Sequence, residues 1–517
     1  MKISKRDTAG FLLLFSILVG NGFFLSHNAF RAFNFYDMGS FLDASWRVYR
    51  GQRPYLDFIY TTGPIHLYMN AFFFLLFGFG KTAVLAHLMT VHSIVIAVVF
   101  LMMRNLVPLP ISLLTALLTT TSFYWPISHP WYDQSAHFWG ILGVGLLTHS
   151  LCRKNSQNPF IAGALCGLLV VLSWMTKSNI GAAYGFVFFI VFLITEENKK
   201  YILGYAAGIS VMALVMVTVI SPSRYIEQVF LTYGKQAMNR LPQLGSIDVL
   251  FKNYYWIAVE IVTINCLFQF RQSRKFLALL VLFLGVVGVG IFSIYTGSMV
   301  RPANIPLWGV HMALAFILLY QMRETATFVW RKIFNSVSIV GLTLLTAWLI
   351  VVSAHQGKDL AVWRWIGRDP VGTYSLQAKP FRGWRVDPET GKSLDGLVEF
   401  FENQVPKNES LLVLSDLQIL YPLTGRDSYR GAPFIFSTNT DLVPSPGKQM
   451  EEVKSQILTH PPDWIVDLAE DTPMRREIEQ VKGLAAFLGL EPFIQSSYQP
   501  AGQWGHYVLF KRKAAAS

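Results

Sequence analysis

The chain has 517 residues, of which 53% are hydrophobic and only 14% are charged, and its mean hydropathy is +0.40. Soluble domains carry about a quarter charged residues, so this composition excludes an ordinary soluble protein and predicts a polytopic membrane protein. The net charge of +12 does not indicate a nucleic-acid partner, because most basic residues lie in short loops between apolar segments and form no stripe. The three cysteines lie in or beside apolar segments, so no disulfide framework is indicated.

Apolar segments suited to membrane spans recur along the first 353 residues. About 20 apolar residues are needed to cross roughly 30 Å of hydrocarbon. The N-terminal segment MKISKRDTAGFLLLFSILVGNGFF resembles a signal peptide, but it lacks a clear small-x-small cleavage site, so we interpret it as an uncleaved first helix. The sequence predicts eleven spans, centred near Ser16, Ile94, Thr119, Gly143, Val170, Phe188, Val211, Val262, Leu284, Ala313 and Leu344.

The apolar stretch 63–78 is short and contains proline, histidine and asparagine. We predict that it lies along the outer membrane surface as an interfacial helix and does not cross. The N-terminus and most basic loops then face the cytoplasm, as the positive-inside rule requires. The basic residues on that side are Lys2, Lys5, Arg6, Arg104, Arg153, Lys154, Lys199, Lys200, Arg271, Arg274, Lys275, Arg323, Arg331 and Lys332, with Arg224, Lys235 and Arg240 as exceptions.

Three carboxylates follow the first span in the segment FNFYDMGSFLDASWRVYRGQRPYLDF, residues 33–58. Asp37 precedes a stretch with helical spacing, where a carboxylate serves either as a general base at the membrane surface or as a helix N-cap. The residues alone favour the cap. For Asp43 we expect an exposed helix face or an i,i+4 pair with Arg47, and for Asp57 a loop position.

A second acidic loop, SHPWYDQSAHFWG, falls on the same predicted outer face. It contains Asp133, with Tyr132, His129 and His137 close in sequence. Histidine and aspartate are metal ligands, so a divalent ion is an alternative, although the spacing matches no specific metal site. Two acidic loops on one face can form a shared site, which predicts that Asp37 and Asp133 lie close together.

Two cations lie between apolar segments at the predicted outer ends of spans. Lys177, in LSWMTKSNIGAAYG, interrupts an apolar region, and burying a lysine there costs roughly 3 kcal/mol on insertion scales. It is either the partner of an anion such as a lipid phosphate at a broken helix, or a lysine in a plain external turn. Arg301, in YTGSMVRPANIPLWG, is a similar external cation close to the bilayer.

The apolar segments stop after Ser353, and the remaining chain is polar and rich in turn signals. The short runs LLVLSD, DWIVDLA and HYVLFKRK are typical of strands, whereas SLDGLVEFFENQV and GKQMEEVKSQILTH have helical spacing. We therefore predict a transmembrane domain at 1–353, whose first outer loop, 28–81, holds interfacial helices, and a small extracytoplasmic α/β domain at 354–517.

These features together resemble the GT-C superfamily of membrane glycosyltransferases, and within it the bacterial lipid A aminoarabinose transferases and the protein O-mannosyltransferases. The matching features are Asp37 with the helix after it, GPIHLYMNAFFFLLFGFG with its Leu-Phe-Gly turn, Asp133 in YDQSAHFW, and Lys177 in WMTKSNIG. They run through the first third to half of the chain, and their order and spacing make the set more specific than any single match.

The chain departs from those two groups where they contact the donor phosphate. They carry Glu-Lys-Pro before the interfacial helix, whereas this chain reads Thr-Gly-Pro at 62–64. An arginine that is common after the Leu-Phe-Gly turn is also absent, with Leu85 near its place and Lys81 and His87 nearby. A different cation is therefore expected to meet the phosphate.

The resemblance implies a mainly α-helical polytopic enzyme of the bacterial cytoplasmic (inner) membrane. Such an enzyme moves a sugar, with inversion, from a polyprenyl-phosphate donor to a glycan, lipid or protein acceptor of the cell envelope. It implies Asp37 as the base, Asp133 as the group that orients the acceptor or the base, and Lys177 and Arg301 at the phosphate. Neither a cofactor nor a nucleic acid is expected, with a divalent metal as the alternative. Further contacts with donor or acceptor are expected from Asp43, Lys81, His87, His129 and Tyr132.

Two other classes of protein compete with this interpretation. A transporter of lipid-linked sugars or solutes would place its key residues near the bilayer midplane on broken helices. Glu260, in the middle of a predicted span, and the interruption at Lys177 support that alternative, but no internal repeat is evident. A non-enzymatic scaffold with an external recognition domain would not need two acidic loops on one face.

Overall fold

The computed structural model describes residues 5–29, 38–124, 130–152, 158–232, 256–269, 273–296, 305–359, 373–415, 417–430, 448–469, 485 and 488–514. Within these ranges the chain is mainly helical, as predicted. The helices of the first part are α1 (Lys5–Ala29), α2 (Ser40–Tyr49), α3 (Ile65–Phe77), α4 (Lys81–Met103), α5 (Leu109–Ser122), α6 (Tyr132–Cys152), α7 (Pro159–Trp174), α8 (Ser178–Ile194), α9 (Asn198–Val219) and α10 (Pro222–Tyr225). The later helices are α11 (Trp256–Gln269), α12 (Arg274–Thr296), α13 (Trp308–Thr325), α14 (Val329–Asp359), α15 (Pro388–Asn403), α16 (Leu420–Leu423), α17 (Lys448–Thr459) and α18 (Glu491–Ser497).

Each of the eleven predicted spans coincides with a helix, namely α1, α4 to α9 and α11 to α14. In the described residues, five helices (α1, α4, α9, α12 and α14) are long and apolar enough to cross a bilayer, by length and composition. The stretch 63–78 contains the separate helix α3, which ends at Gly78 with a left-handed φ of 74°. Thirteen residues span about 20 Å of helix, which is shorter than the hydrocarbon layer.

The chain folds as two compact units that do not follow the chain order. Unit 1 comprises Met1–Ser26, Leu88–Val219 and Asn239–Val362, and unit 2 comprises His27–His87, Ile220–Met238 and Trp363–Ser517. The first outer loop is thus grouped with the C-terminal region in unit 2. The predicted boundary between domains at 353 and 354 stays a prediction.

In unit 1, helices α1 and α4 pack antiparallel. Near the start of α1, the Phe11 ring lies 4.2 Å from the guanidinium of Arg104, just beyond the end of α4. In the middle, Leu14 belongs to one apolar cluster with Ile96 and Phe100. A Cβ atom added at Gly22, in the later part of α1, would lie 3.3 Å from the Met89 side chain in the early part of α4, and the order of these contacts fixes opposite helix directions.

Helices α7 and α9 of unit 1 approach each other through small residues. A Cβ atom added at Gly163 would lie 2.2 Å from the carbonyl oxygen of Tyr201, and one added at Gly208 would lie 2.0 Å from that of Ala164. Glycine is therefore required on both sides of the interface. Apolar surface gives little driving force inside a bilayer, so membrane helices associate through close packing of this kind.

In unit 2, the C-terminal region forms the predicted α/β structure. Its strands are β1 (Tyr374–Ser375), β2 (Arg385–Val386), β3 (Leu411–Val413), β4 (Trp464–Leu468), β5 (Tyr498–Trp504) and β6 (Tyr507–Arg512). The first two form an antiparallel pair, and the others form a sheet in the order β3-β4-β6-β5. Only β3 and β4 are parallel within that sheet. The three strands and two helices expected from the sequence, which correspond to β3, β4, β6, α15 and α17, are confirmed.

Candidate functional site

Lys177 of unit 1 lies at a break between two helices. Helix α7 ends at Trp174, and Lys177 adopts an extended conformation (φ −147°, ψ 108°) before α8 begins at Ser178. Its backbone N–H donates to the Ser173 carbonyl at 2.8 Å, and its own carbonyl accepts from Gly181 N–H at 3.0 Å. The lysine therefore has a backbone fixed by both helices.

Glycine at 181 makes this break possible. A Cβ atom added there would lie 2.1 Å from the backbone nitrogen of Trp174, a distance that no side chain tolerates. The first turn of α8 is thus packed directly against the last residue of α7. The WMTKSNIG segment accordingly specifies a tight, rigid corner, and the plain external turn considered for Lys177 does not describe it.

The Lys177 ammonium forms an ion pair with Asp133, the second residue of α6. The ammonium also lies 5.0 Å from the centre of the Tyr132 ring. The side chain of Lys177 is 11% exposed and that of Asp133 is 19% exposed, so the pair is partly open. An ammonium with three donors in such a place can hold an additional anion, because partial desolvation strengthens charged contacts.

A buried polar chain continues from this pair along α6. His137 is one turn beyond Asp133; its Nδ1 lies 3.2 Å from the Tyr184 hydroxyl on α8, and its Nε2 lies 3.2 Å from the Ser293 hydroxyl on α12. All three side chains are buried. The i,i+4 spacing of Asp133 and His137 was visible in the sequence, but their partners on α8 and α12 were not.

Unit 2 contains a second pair, Asp43 with Arg47 on α2, and this one is sealed. Arg47 Nε donates to Asp43 Oδ2 at 2.8 Å, and Arg47 Nη1 donates to the Tyr429 carbonyl at 2.8 Å. The hydroxyl of Ser428 donates to the other Asp43 oxygen. Both charged side chains are at most 1% exposed. The predicted i,i+4 pair is confirmed, and the exposed face considered for Asp43 is wrong because the C-terminal segment covers it.

Burial has an electrostatic consequence for Asp43. Desolvation raises the pKa of this carboxyl above its usual value. The charge of Arg47 and the hydrogen bonds from Ser428 and Arg47 lower the pKa, but they offset only part of that rise. The Trp46 indole, which donates to the Arg426 carbonyl at 2.9 Å, ties the same helix to the same segment. Asp43 therefore fastens α2 to the C-terminal region, and its predicted contact with substrate stays a prediction.

His87 belongs to a buried network that joins the first turns of α4 to α2 and α3. Its Nδ1 lies 2.6 Å from Asn70 Oδ1, while Asn70 Nδ2 donates to Ser45 Oγ at 3.2 Å and lies 3.1 Å from His66 Nε2. These contacts require His87 to carry its proton on Nδ1. Its predicted role in contacting a ligand stays a prediction.

The remaining predicted site residues are Asp37, His129, Arg301 and Lys81. Asp37, His129 and Arg301 lie outside the described residues, so the predicted closeness of Asp37 to Asp133 stays a prediction. Lys81 donates to the Arg382 carbonyl at 2.9 Å, within unit 2. Asp57 occupies a turn, as predicted, where it accepts from Arg53 N–H at 2.7 Å.

In the described part of the chain, no three histidine, cysteine or acidic side chains are grouped so that they could hold a metal ion.

A polytopic helical fold with short helices after the first span and a small α/β region is shared with solved structures of ArnT and of an archaeal oligosaccharyltransferase. The chain has this fold and is an integral membrane protein. The resemblance to the GT-C superfamily inferred from the sequence is thereby confirmed at the level of fold.

Solved structures with this architecture match nearly the whole chain. ArnT from Cupriavidus metallidurans bound to undecaprenyl phosphate is 12% identical, with 98% of this chain and 99% of that chain covered and a TM-score of 0.59. The oligosaccharyltransferase AglB from Archaeoglobus fulgidus, in complex with an inhibitory peptide and a dolichol-phosphate, is 11% identical; 97% of this chain and 74% of that chain are covered, with a TM-score of 0.52. No family model matches the chain, and no curated protein matches it.

Proposed function

We propose that the protein is an inverting glycosyltransferase that moves a sugar from a polyprenyl-phosphate donor to a glycan, lipid or protein acceptor of the cell envelope. The observation that carries the proposal is the partly open Asp133–Lys177 pair at a rigid helix break. It occurs in a fold shared over almost its full length with a protein solved in complex with undecaprenyl phosphate. A lysine held in this way supplies the positive charge that a lipid phosphate requires.

In the proposed reaction, Asp37 removes the proton from the acceptor hydroxyl. The hydroxyl oxygen attacks the anomeric carbon of the donor sugar from the side opposite the phosphate. The new carbon–oxygen bond forms as the bond from the anomeric carbon to the phosphate oxygen breaks, and polyprenyl phosphate leaves with the electron pair. A single displacement inverts the anomeric centre. General-base catalysis of this kind contributes about 10²- to 10⁴-fold.

Lys177 and Arg301 stabilise the negative charge that grows on the phosphate as it leaves. Before the donor binds, Asp133 balances the charge of Lys177. When a phosphate shares the ammonium, an oxygen of Asp133 becomes available to accept a hydrogen bond from the acceptor hydroxyl or the sugar. Asp133 therefore orients a substrate. Since these two cations supply the positive charge, the proposal contains no metal, and chelation with EDTA should leave turnover unchanged; loss of turnover restored by Mg²⁺ or Mn²⁺ would contradict this part.

The proposal also includes the membrane topology. Antiparallel packing of α1 and α4 supports it, because two antiparallel spans leave the segment between them starting and ending on one membrane face. That segment contains α3, which is short enough to lie along the surface. With the N-terminus in the cytoplasm of a bacterium, Asp37 and Asp133 face outward at the inner membrane. Cysteine tags at the exposed positions Asn105 and Leu56 should label from the cytoplasm and from outside respectively.

The direct test measures transfer of sugar by purified protein from a panel of undecaprenyl-phosphate sugars. The wild type should release undecaprenyl phosphate, and Asp37→Asn should lower turnover about 10²- to 10⁴-fold with donor binding retained. Asparagine caps a helix about as well as aspartate, so a residue that only caps would leave turnover nearly normal. Absence of transfer with every donor would refute the proposal.

A transporter of lipid-linked sugars is the alternative, and the chain of His137, Tyr184 and Ser293 favours it. Buried polar side chains within membrane helices are typical of transport routes. Glu260, which was cited for the same alternative, is exposed on α11 and does not join this chain. Movement of labelled lipid across proteoliposomes without formation of a transfer product would select the transporter.

A further inference from the structure

Unit 1 has a cavity of about 710 Å³ at the end where α4 meets α5. Its wall includes the start of α1, the loop from α4 to α5, the end of α13 and the start of α14. Three cations line it, Arg104, Arg323 and Lys332, together with one carboxylate, Glu324, and the aromatic ring of Tyr320. Positive charge therefore predominates in a cavity that the proposed transfer chemistry does not use.

The position of Lys332 is unfavourable unless an anion is near. It lies in the first turn of α14, where the positive end of the helix dipole opposes a cation, and that turn contains no acidic residue. The start of α5, after Pro108, is a second helix N-terminus at the cavity wall, and no side chain caps it. Two N-termini and three cations at one cavity create a strong preference for negative charge.

The loop between α4 and α5 is held in a defined shape. Asn105 adopts a left-handed φ of 72°, and the N–H groups of Leu106 and Val107 both donate to the Met103 carbonyl, at 2.9 and 3.0 Å. The guanidinium of Arg104 lies over the Phe11 ring at 4.2 Å. Backbone and ring contacts thus hold Arg104 in place at the cavity wall.

Apolar side chains complete the cavity and indicate the kind of ligand. Phe100 and Leu109 line it beside the charged residues. A volume of this size is within the usual range of roughly 300–1,000 Å³ for ligand sites. Basic pockets between membrane helices on the cytoplasmic side bind anionic headgroups.

We infer that this cavity binds a phosphate ester through Arg104, Arg323 and Lys332. The same chemistry is offered by the headgroup of an anionic phospholipid and by a soluble phosphate ester. Neither is a substrate of the proposed transfer reaction, so this site is separate from that function.

Native mass spectrometry of the detergent-purified full chain tests the inference, with phosphatidylglycerol as the anionic probe and phosphatidylcholine, a zwitterion with no net charge, as the reference. The wild type should retain phosphatidylglycerol preferentially. The double variant Arg323→Gln/Lys332→Gln should weaken its binding about thirtyfold, because each cation acts on the same anion. Both side chains are exposed, so folding should be unaffected.

Two further variants give opposite and neutral expectations. Glu324→Gln should strengthen binding, since it removes the carboxylate from the cavity wall. Lys199→Gln, an exposed lysine at the start of α9 outside the cavity, should bind as the wild type does. The inference would be overturned by two results together: the double variant retains as much phosphatidylglycerol as Lys199→Gln does, and glycerol phosphate binds neither variant.

A parallel titration with glycerol phosphate distinguishes the two sources of the phosphate. Binding of phosphatidylglycerol alone assigns a lipid headgroup, and binding of glycerol phosphate alone, sensitive to the same double variant, assigns a soluble ester.

Discussion

Two ion pairs in this protein each join an aspartate to a basic residue, but they differ in how far their side chains are exposed to solvent. In unit 2, the side chains of Asp43 and Arg47 are at most 1% exposed. Ser428 donates a hydrogen bond to Asp43, and Arg47 donates one to the Tyr429 carbonyl. In unit 1, the side chains of Asp133 and Lys177 are 19% and 11% exposed. The first pair is enclosed by the fold and out of reach of a ligand, although Arg47 Nη2 has no hydrogen-bond partner, whereas the second is accessible to a further partner.

The difference shows how burial separates a structural ion pair from a candidate site. A sealed pair must have its hydrogen bonds satisfied by the protein, and removing one partner leaves a charge without compensation. A partly open pair remains within reach of a ligand and retains donors for it. Four substitutions test this comparison, in order of decreasing expected effect.

The largest effect is expected for Arg47→Met in the sealed pair. It should destabilise the fold by about 3–5 kcal/mol, because the buried Asp43 carboxylate loses its cation. Thermal unfolding followed by size-exclusion chromatography measures the loss. The deficit should shrink at low pH: a carboxyl with a raised pKa in the folded state contributes stability that is present below its unfolded pKa and is lost as pH rises through the folded value.

A double variant provides the control for this experiment. Asp43→Leu/Arg47→Met removes both charges, and it should be more stable than Arg47→Met alone, since an apolar pair often replaces a buried ion pair without loss. If Arg47→Met were as stable as the wild type, the pair would not fasten α2.

The second effect is a loss of donor affinity in Lys177→Met. Binding of undecaprenyl-phosphate sugar should weaken roughly 10- to 150-fold, which corresponds to the loss of a charged hydrogen bond. Quantification of bound lipid measures the change. Lys177→Arg retains the charge and should bind within a few-fold of the wild type. Unchanged lipid binding in Lys177→Met would remove this residue from the proposed donor site.

A smaller effect is expected for Ser428→Ala. It removes the hydroxyl that donates to Asp43 and leaves a buried oxygen without that donor, at a cost of roughly 1–2 kcal/mol. Ser496→Ala, an exposed serine that donates to the Phe493 carbonyl, is the matched control and should be nearly neutral. Equal thermal stability of the two variants would show that the contact with Ser428 contributes little.

The smallest effect concerns Asp57, whose side chain is 17% exposed. Partial burial pulls its pKa upward, but hydrogen bonds from Arg53 and nearby positive charge hold it below the usual value. A lowered pKa contributes stability that is present above the unfolded value of about 3.9 and is lost as pH falls through the folded value. Asp57→Asn should therefore cost less than about 1 kcal/mol at pH 7 and nothing at strongly acidic pH. A larger deficit in acid than at neutral pH would contradict this account.

The sequence by itself determined the predicted helical segments and three strands of the C-terminal region, but not β1, β2 or β5. Apolar length and periodicity are local properties, so the eleven helices, the separate helix α3 and the strands β3, β4 and β6 followed from them. The matches at Asp37, Asp133 and Lys177 also predicted the GT-C fold, because short motifs retained in order are visible without tertiary contacts.

Only the tertiary structure decided which charges meet and how open they are. Asp43 and Arg47 are four residues apart on one helix, so their pairing was predictable. The segment that buries them, which includes Ser428, lies almost 400 residues away in sequence, and its contact with them was not predictable. Asp133 lies on α6 and Lys177 lies at the break between α7 and α8, so no local pattern specifies their contact. Burial and partner choice depend on how distant segments pack, and that packing is a property of the whole fold that no short stretch of sequence encodes.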